Sequence, residues 1–366
     1  MHKPISEMAT HLRNLLPPTI PQTFKIDPMF MLGVTEADVY KGISAFKDFL
    51  HHLYDHLTAE GSPFDKPKRE SHNTNINSSY PFILHLAVFM MNMGLHGKLN
   101  DDKDVLLMDD IEALTAVNKL SYQKIPDRRK VECLRFLEDC GLRFGGLDIC
   151  GKKPKMVPSE SHGPIKITYP SNHAMLVGMK VIVSAQHDIG SKYIGEILLR
   201  CDWRALAYNM DNKVKGFNCS DILPILKDLT HTLPDDVQDF ILKLHTDYMS
   251  HGYKCDTYIG AGTRFEYFCK SKELWRFNLT LNNGHFITIK AQNTDKYLDI
   301  VDKLPDRLQA DIIKGYGCGK KMGTTDFCDG GCRGYRVPLD DSFLKISDVV
   351  KEWIEREVEI IVSSSN

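Results

Sequence analysis

Apolar residues recur at the helical period in the first two thirds of this chain and at a period of two between Arg264 and Lys290, so the fold must combine α and β structure. From Thr35 onward, Val39, Ile43, Phe46, Leu50, Leu53 and Leu57 form one helical stripe, and Gly61-Ser62-Pro63 ends it. Residues 81 to about 93 are apolar on most sides, which predicts a helix central to a core. Residues 234–249 return to a one-sided helical pattern through Val237, Phe240, Ile241, Leu244 and Tyr248. Residues 264–270 and 274–290 then alternate like strands, with a hairpin signal at Asn282-Asn283-Gly284. A three-residue loop with Gly284 left-handed would align Ile287 and Ile289 with Leu279 and Phe277. A two-residue loop would mix the faces, so the three-residue loop is expected.

Shorter elements complete the reading. An amphipathic helix is expected at 5–16, stopped by Pro17-Pro18. A helix pair spans 110–120 and 126–140, a strand 165–169, and a helix 174–186, while 197–206 reads equally as strand or helix. Three more helices are expected at 294–303, 307–314 and 347–358. The domain reading is an N-terminal arm (1–24), a mainly helical domain (25–150) and a linker (151–164) rich in Gly, Lys and Pro. A connecting α/β region (165–232) and a C-terminal α+β domain (233–366) follow. The fold class is thus α+β: a helical N-terminal half, with a winged-helix element as one reading, and a C-terminal antiparallel sheet packed by helices. Phe82-Ile83-Leu84-x-Leu86, with Met91 and Gly94, recurs at constant displacement as Phe240-Ile241-Leu242-x-Leu244, with Met249 and Gly252. This echo is either chance among common helix residues or a duplicated helix-then-strand unit.

Composition sets outer limits. The chain has 366 residues, 42% of them hydrophobic, which suffices for packed cores in two or three domains. A formal charge of -2 gives no global field for nucleic acid, so such a partner would need a local patch. The first residues lack a continuous apolar segment, and no run approaches the roughly 20 apolar residues of a membrane span. The expectation is a cytoplasmic protein with no membrane partner, its 10 cysteines mostly free and buried.

The residues around 240–252, 265–268, 275–281 and 297–314 resemble the small α+β domains of uncharacterised YdhG-type bacterial proteins. The run Cys328-Asp329-Gly330-Gly331-Cys332-Arg333-Gly334-Tyr335-Arg336, followed by Pro338-Leu339-Asp340-Asp341-Ser342, is similar to the tails of proteins from anaerobic bacteria. The resemblance implies an α+β fold and a bacterial origin but no particular reaction.

Five groups of residues could carry chemistry. Trp275, Phe277, Tyr267 and Phe286 on a curved sheet could line an apolar ligand pocket, with Arg264 or His285 as polar anchor. An ordinary sheet core would use the same residues. Cys318, Cys328 and Cys332 are spaced C-x9-C-x3-C among glycines, a pattern open to zinc, to a redox pair or to ordinary thiols. Cys255, Cys269 or His285 would be the fourth zinc ligand. Arg333 would lower a neighbouring thiol's pKa. Gly315-Tyr316-Gly317-Cys318-Gly319-Lys320-Lys321 fails the phosphate-loop pattern at Lys314 and Lys321, although its lysines with Arg333 and Arg336 could hold a small anion. His52 and His56 are spaced for metal chelation beside His51, but lie roughly 100–140° from the apolar stripe, where a solvated face is expected. Lys119, Lys124, Arg128, Arg129, Lys130 and Arg135 accompany the 110–140 helix pair, as in a winged helix with a basic recognition helix, diluted by Asp127, Glu132, Glu138 and Asp139. The first expectation is therefore a binding or regulatory protein holding a small ligand against the C-terminal sheet. A thiol- or zinc-dependent enzyme and a DNA-binding regulator are the rivals.

Overall fold

The computed structural model describes residues 4–20, 24–65, 80–116, 125–157, 163–188, 196–206, 222–259, 263–280, 284–291, 293–296, 298–314 and 334–364. The chain divides into two compact units, Met1–Phe217 and Asn218–Asn366.

The first unit is built on long helices. After α1 (Ile5–Asn14), α2 (Glu36–Glu60) starts at a capping box: the Thr35 hydroxyl accepts from Asp38 N at 3.2 Å while the Asp38 carboxylate accepts from Thr35 N at 3.2 Å. The expected stripe, Val39 to Leu57, is buried. α3 (Pro81–His96) is buried nearly all round, as its unbroken apolar run requires. Next come β1 (Lys98–Leu99), β2 (Val105–Met108), α4 (Ile111–Thr115), α5 (Asp127–Asp139) and β3 (Arg143–Gly145). The hairpin β4 (Leu147–Asp148) with β5 (Lys155–Met156) follows, then β6 (Ile165–Thr168). These strands form an antiparallel sheet in the order β1-β2-β6-β3, with β4–β5 as a separate two-stranded ribbon.

Two helices close the unit, α6 (Ala174–Asp188) and α7 (Glu196–Arg200), followed by a 3-10 turn at Trp203–Leu206. The ambiguous 197–206 segment is thus helical. α6 crosses α2 where Gly42 meets Gly178, so closely that a Cβ on Gly42 would lie 2.7 Å from Gly178 N. Lys180 of α6 donates to Gly94 O at 2.8 Å and Gly97 O at 2.6 Å, covering the carbonyl end of α3. Residues 151–154 form the tip between β4 and β5, so the division between units falls at 217/218 and not in the expected 151–164 linker. Gly, Lys and Pro mark a hairpin tip as well as they mark a linker.

The second unit opens with α8 (Ile222–Thr230) and α9 (Asp235–Ser250). A five-stranded antiparallel sheet follows: β7 (Lys254–Ile259), β8 (Thr263–Cys269), β9 (Lys272–Thr280), β10 (Gly284–Ile289) and β11 (Tyr335–Pro338), in the order β11-β10-β9-β8-β7. The expected helix at 294–303 is instead two 3-10 turns, Thr294–Lys296 and Leu298–Lys303. α10 (Asp306–Lys314) precedes β11, and α11 (Ser347–Ser363) ends the chain. Gly284 is left-handed at φ 62°, and Ile287 and Ile289 share a face with Phe277, as the pattern demanded. Their partners lie two positions away from those expected: Ile287 pairs with Phe277 and Ile289 with Trp275. A slide by two keeps every side chain on its face, so hydrophobic alternation does not detect it.

Candidate functional site

The sheet of the second unit separates its candidates onto two faces. Tyr267, Trp275, Phe277 and His285 share a face with Phe265, Ile287 and Ile289, because each pairs directly across the ladder. α9 covers this face. Tyr267 stacks on Trp275 at 3.6 Å between centroids, Tyr248 meets both rings edge-on, and His245 Nδ1 lies 2.9 Å from the Tyr267 hydroxyl. Tyr267, Trp275 and Phe277 have no exposed surface, which closes this face to a ligand: they are sheet core. His285 Nε2 lies 2.7 Å from the Leu229 carbonyl oxygen, tying β10 to α8. Burial, with Cys255 beside it, holds the Tyr267 hydroxyl protonated well above its ordinary range. Burial likewise pushes the Cys255 thiol up to about 12, despite its hydrogen bond with Tyr267, so this cysteine is an unreactive thiol.

The opposite face is an ion-pair ladder. Arg264 pairs with Glu266 at 2.6 Å, Arg276 and Lys290 both hold Glu273 (2.5 and 2.8 Å), and the Arg336 guanidinium lies 5.2 Å from the Phe286 ring centre. Burial pushes Glu273 up, but Arg276 and Lys290 outweigh it and leave its carboxyl below the usual range. Arg264, Arg336 and the expected pocket residue Phe286 therefore lie on the face opposite to Tyr267, Trp275 and Phe277. Cys318, Cys328, Cys332 and Arg333, with the whole glycine-rich loop, lie outside the described residues. Among the described residues no group of three or more His, Cys, Asp or Glu side chains could hold a metal. His52 is exposed, and His56 packs against Phe136 at 4.8 Å.

The first unit holds the better-formed candidate. Between 81 and 168 the chain runs helix, the paired strands β1 and β2, helix, helix, strand, hairpin, strand, and β6 lies between β2 and β3. Apart from β1, this is the order of a winged helix, in which α5 would take the recognition position and β4–β5 the wing. α5 itself is electrically balanced: Arg128 and Arg129 each pair with Glu132 at 2.9 Å, and Lys130 with Asp127 at 3.0 Å. The Arg129 guanidinium also lies 5.4 Å from the Phe82 ring centre, so it anchors the helix to the core. Arg135 donates to the carbonyls of Ile149 and Cys150 at 3.1 and 2.8 Å, fastening the wing to α5. The wing carries the free charge. Lys152, Lys153 and Lys155 are exposed and make no ion pair among the described residues. Lys119 and Lys124 lie outside the described residues. Lys152, Lys153 and Lys155 fall in the stretch expected as a linker; the β4–β5 pairing puts them in a hairpin instead.

No family model, curated protein or solved structure matches the chain. Among the described residues no helix is long and apolar enough to cross a membrane.

Proposed function

We propose that residues 81–168 form a winged-helix module that docks on duplex nucleic acid, chiefly through backbone phosphates. The observation that carries this reading is the strand order β2-β6-β3 with α3, α4 and α5 threaded through it, presenting a hairpin that exposes Lys152, Lys153 and Lys155 against one exposed carboxylate, Asp148. Because Arg129 and Lys130 of α5 are held by its own carboxylates, the hairpin lysines supply most of the attraction, with Arg128, 90% exposed and sharing Glu132 with Arg129, able to exchange that carboxylate for a phosphate. Such contacts position a protein without reading bases, so the module binds duplexes of any sequence with similar affinity. Holding a small ligand against Tyr267, Trp275 and Phe277 would require α9 to lift from the sheet, which makes duplex docking the stronger reading.

The test is fluorescence anisotropy with a labelled duplex of random sequence across a salt series. Each phosphate contacted contributes about -0.9 to the slope of log K against log salt, so three wing lysines and Arg128 predict a slope near about -3.5. Replacing Lys152, Lys153 and Lys155 by Gln should weaken binding at 50 mM salt more than tenfold and bring the slope to about -1. A triple variant that binds as tightly as the parent, or a parent without salt-dependent binding, sinks the proposal.

A further inference from the structure

A groove in the first unit, separate from the winged-helix elements, has a cavity volume of about 380 Å³, within the roughly 300–1,000 Å³ of small-molecule sites. One wall is a stripe of α2: Ala37, Tyr40, Ser44 and Lys47 recur three and four residues apart. The facing wall is the extended segment Pro18, Thr19 and Ile20, and the buried Trp203 forms the floor. The arrangement is pinned: the Trp203 indole donates to Pro18 O at 3.1 Å, and the Tyr40 hydroxyl donates to Phe24 O. The floor is braced from behind, where the Arg204 guanidinium lies 5.6 Å from the Trp203 ring centre while Asp202 holds it at 2.7 Å. Ala37 and Ser44 are the small residues that leave the space open.

Charge decides what would enter. Lys47 is the one charged side chain among the described lining residues and forms no ion pair among the described residues; the carboxylate nearest in the hydrogen bonds of the lining is Glu36, whose Oε1 lies 3.3 Å from the Tyr40 hydroxyl. A half-buried ammonium beside Ile43, Trp203 and Pro18 is best matched by an anion. A dianionic phosphate would need several donors, and the groove offers one cation with the hydroxyls of Thr19, Tyr40 and Ser44, of which that of Tyr40 is already given to Phe24 O. We infer that this groove binds a small carboxylate with an apolar, ring-sized body, the body lying on Trp203 and Ile43 and the carboxylate meeting Lys47 and Ser44. The inference does not rest on duplex docking.

Isothermal titration calorimetry on the full chain tests it with three probes of one shape: 2-naphthoate, 2-naphthylmethanol and 2-naphthylmethylammonium. The carboxylate should bind one per chain and at least tenfold tighter than the alcohol, and the ammonium should not bind. Lys47→Met should bring carboxylate and alcohol to equal affinity. Ser44→Phe, at an exposed helix position that does not threaten folding, should abolish both. No binding of 2-naphthoate to the parent chain, a carboxylate preference that survives Lys47→Met, or undiminished binding to Ser44→Phe would each overturn the inference.

Discussion

Two interiors, one in each unit, bury polar groups in opposite ways. In the first, Asp202 is fully buried between Arg200 at 3.1 Å and Arg204 at 2.7 Å, a charged cluster under the Trp203 floor. In the second, the groups buried between α9 and the sheet are hydrogen-bonded side chains and aromatic polar atoms: His245 with Tyr267, Tyr267 with Cys255, and the Tyr248 and Trp275 polar atoms; the unit's buried carboxylate, Glu357 on α11, accepts from Asn293 N at 2.6 Å and Asn293 Nδ2 at 3.0 Å. Charged pairs in a low-dielectric interior are all-or-none, because losing one partner strands the others. Neutral groups can be lost one at a time at modest cost. The first unit should therefore fail sharply to single charge deletions and to acid. The interior between α9 and the sheet should absorb polar deletions.

The largest expected effect is at Asp202. Burial pushes its carboxyl up, but Arg204 and then Arg200 outweigh burial and hold it below the ordinary carboxylate range. Asp202→Ala leaves two buried guanidiniums without their shared acceptor and should destabilise the first unit by about 3–5 kcal/mol. Hydrogen exchange read by mass spectrometry, peptide by peptide, should show faster exchange in α2, α6 and α7 and none of that change in β7–β10. A loss under about 1 kcal/mol would erase the contrast between the units.

A smaller effect is tied to pH. His85 on α3 is driven down to about 4 by burial and then by Arg129, and its Nδ1 has no hydrogen-bond partner among the described residues. The unfolded chain takes up this proton near pH 6.5 and the folded one only near pH 4. Stability from the neutral ring is therefore complete above pH 6.5 and is lost as pH falls through that window. After allowance for its partial exposure, the loss is about 2 kcal/mol, confined to the first unit. His85→Gln should flatten the pH dependence of exchange in α3 between pH 7 and 4. An unchanged slope would assign the window to other groups.

How much of this was legible depends on the length of the pattern. The α2 stripe spans many turns and its start is written in Thr35 and Asp38, so sequence and structure agree there. The short strands β1, β2, β7 and β11 were not anticipated, because two to six residues give no stable period, and β7 alternates Lys254 and Asp256 with Cys255 and Thr257. The echo between 82–94 and 240–252 also dissolves in three dimensions, beyond a shared helix-then-hairpin order. Phe82 is buried and Phe240 half-buried, and Gly94 packs inside a helix against Val183 where Gly252 is a left-handed residue after one, at φ 76°. The groove was illegible because Pro18, Lys47 and Trp203 meet only through folding. Tyr267, Trp275 and Phe277 share one face while Phe286, grouped with them in the sequence, lies on the other, and alternation alone does not say whether a helix or a ligand covers a face.

The smallest expected effect makes the sharpest comparison. The Tyr248 hydroxyl and the Trp275 indole nitrogen are buried with no hydrogen-bond partner among the described residues, and their rings meet edge-on at 5.9 Å. Tyr248→Phe keeps that ring contact and its contact with Tyr267 while removing one stranded hydroxyl. Deleting an unsatisfied buried group should leave the second unit unchanged or stabilise it by up to about 1 kcal/mol. Tyr267→Phe is the matched control, since its hydroxyl faces His245 Nδ1 at 2.9 Å, and removing it should cost about 1–2 kcal/mol. Exchange protection in β8 and β9 separates the two. If Tyr248→Phe costs as much as Tyr267→Phe, the hydroxyl has a partner such as a buried water, and the neutral side of this molecule is as tightly specified as the charged one.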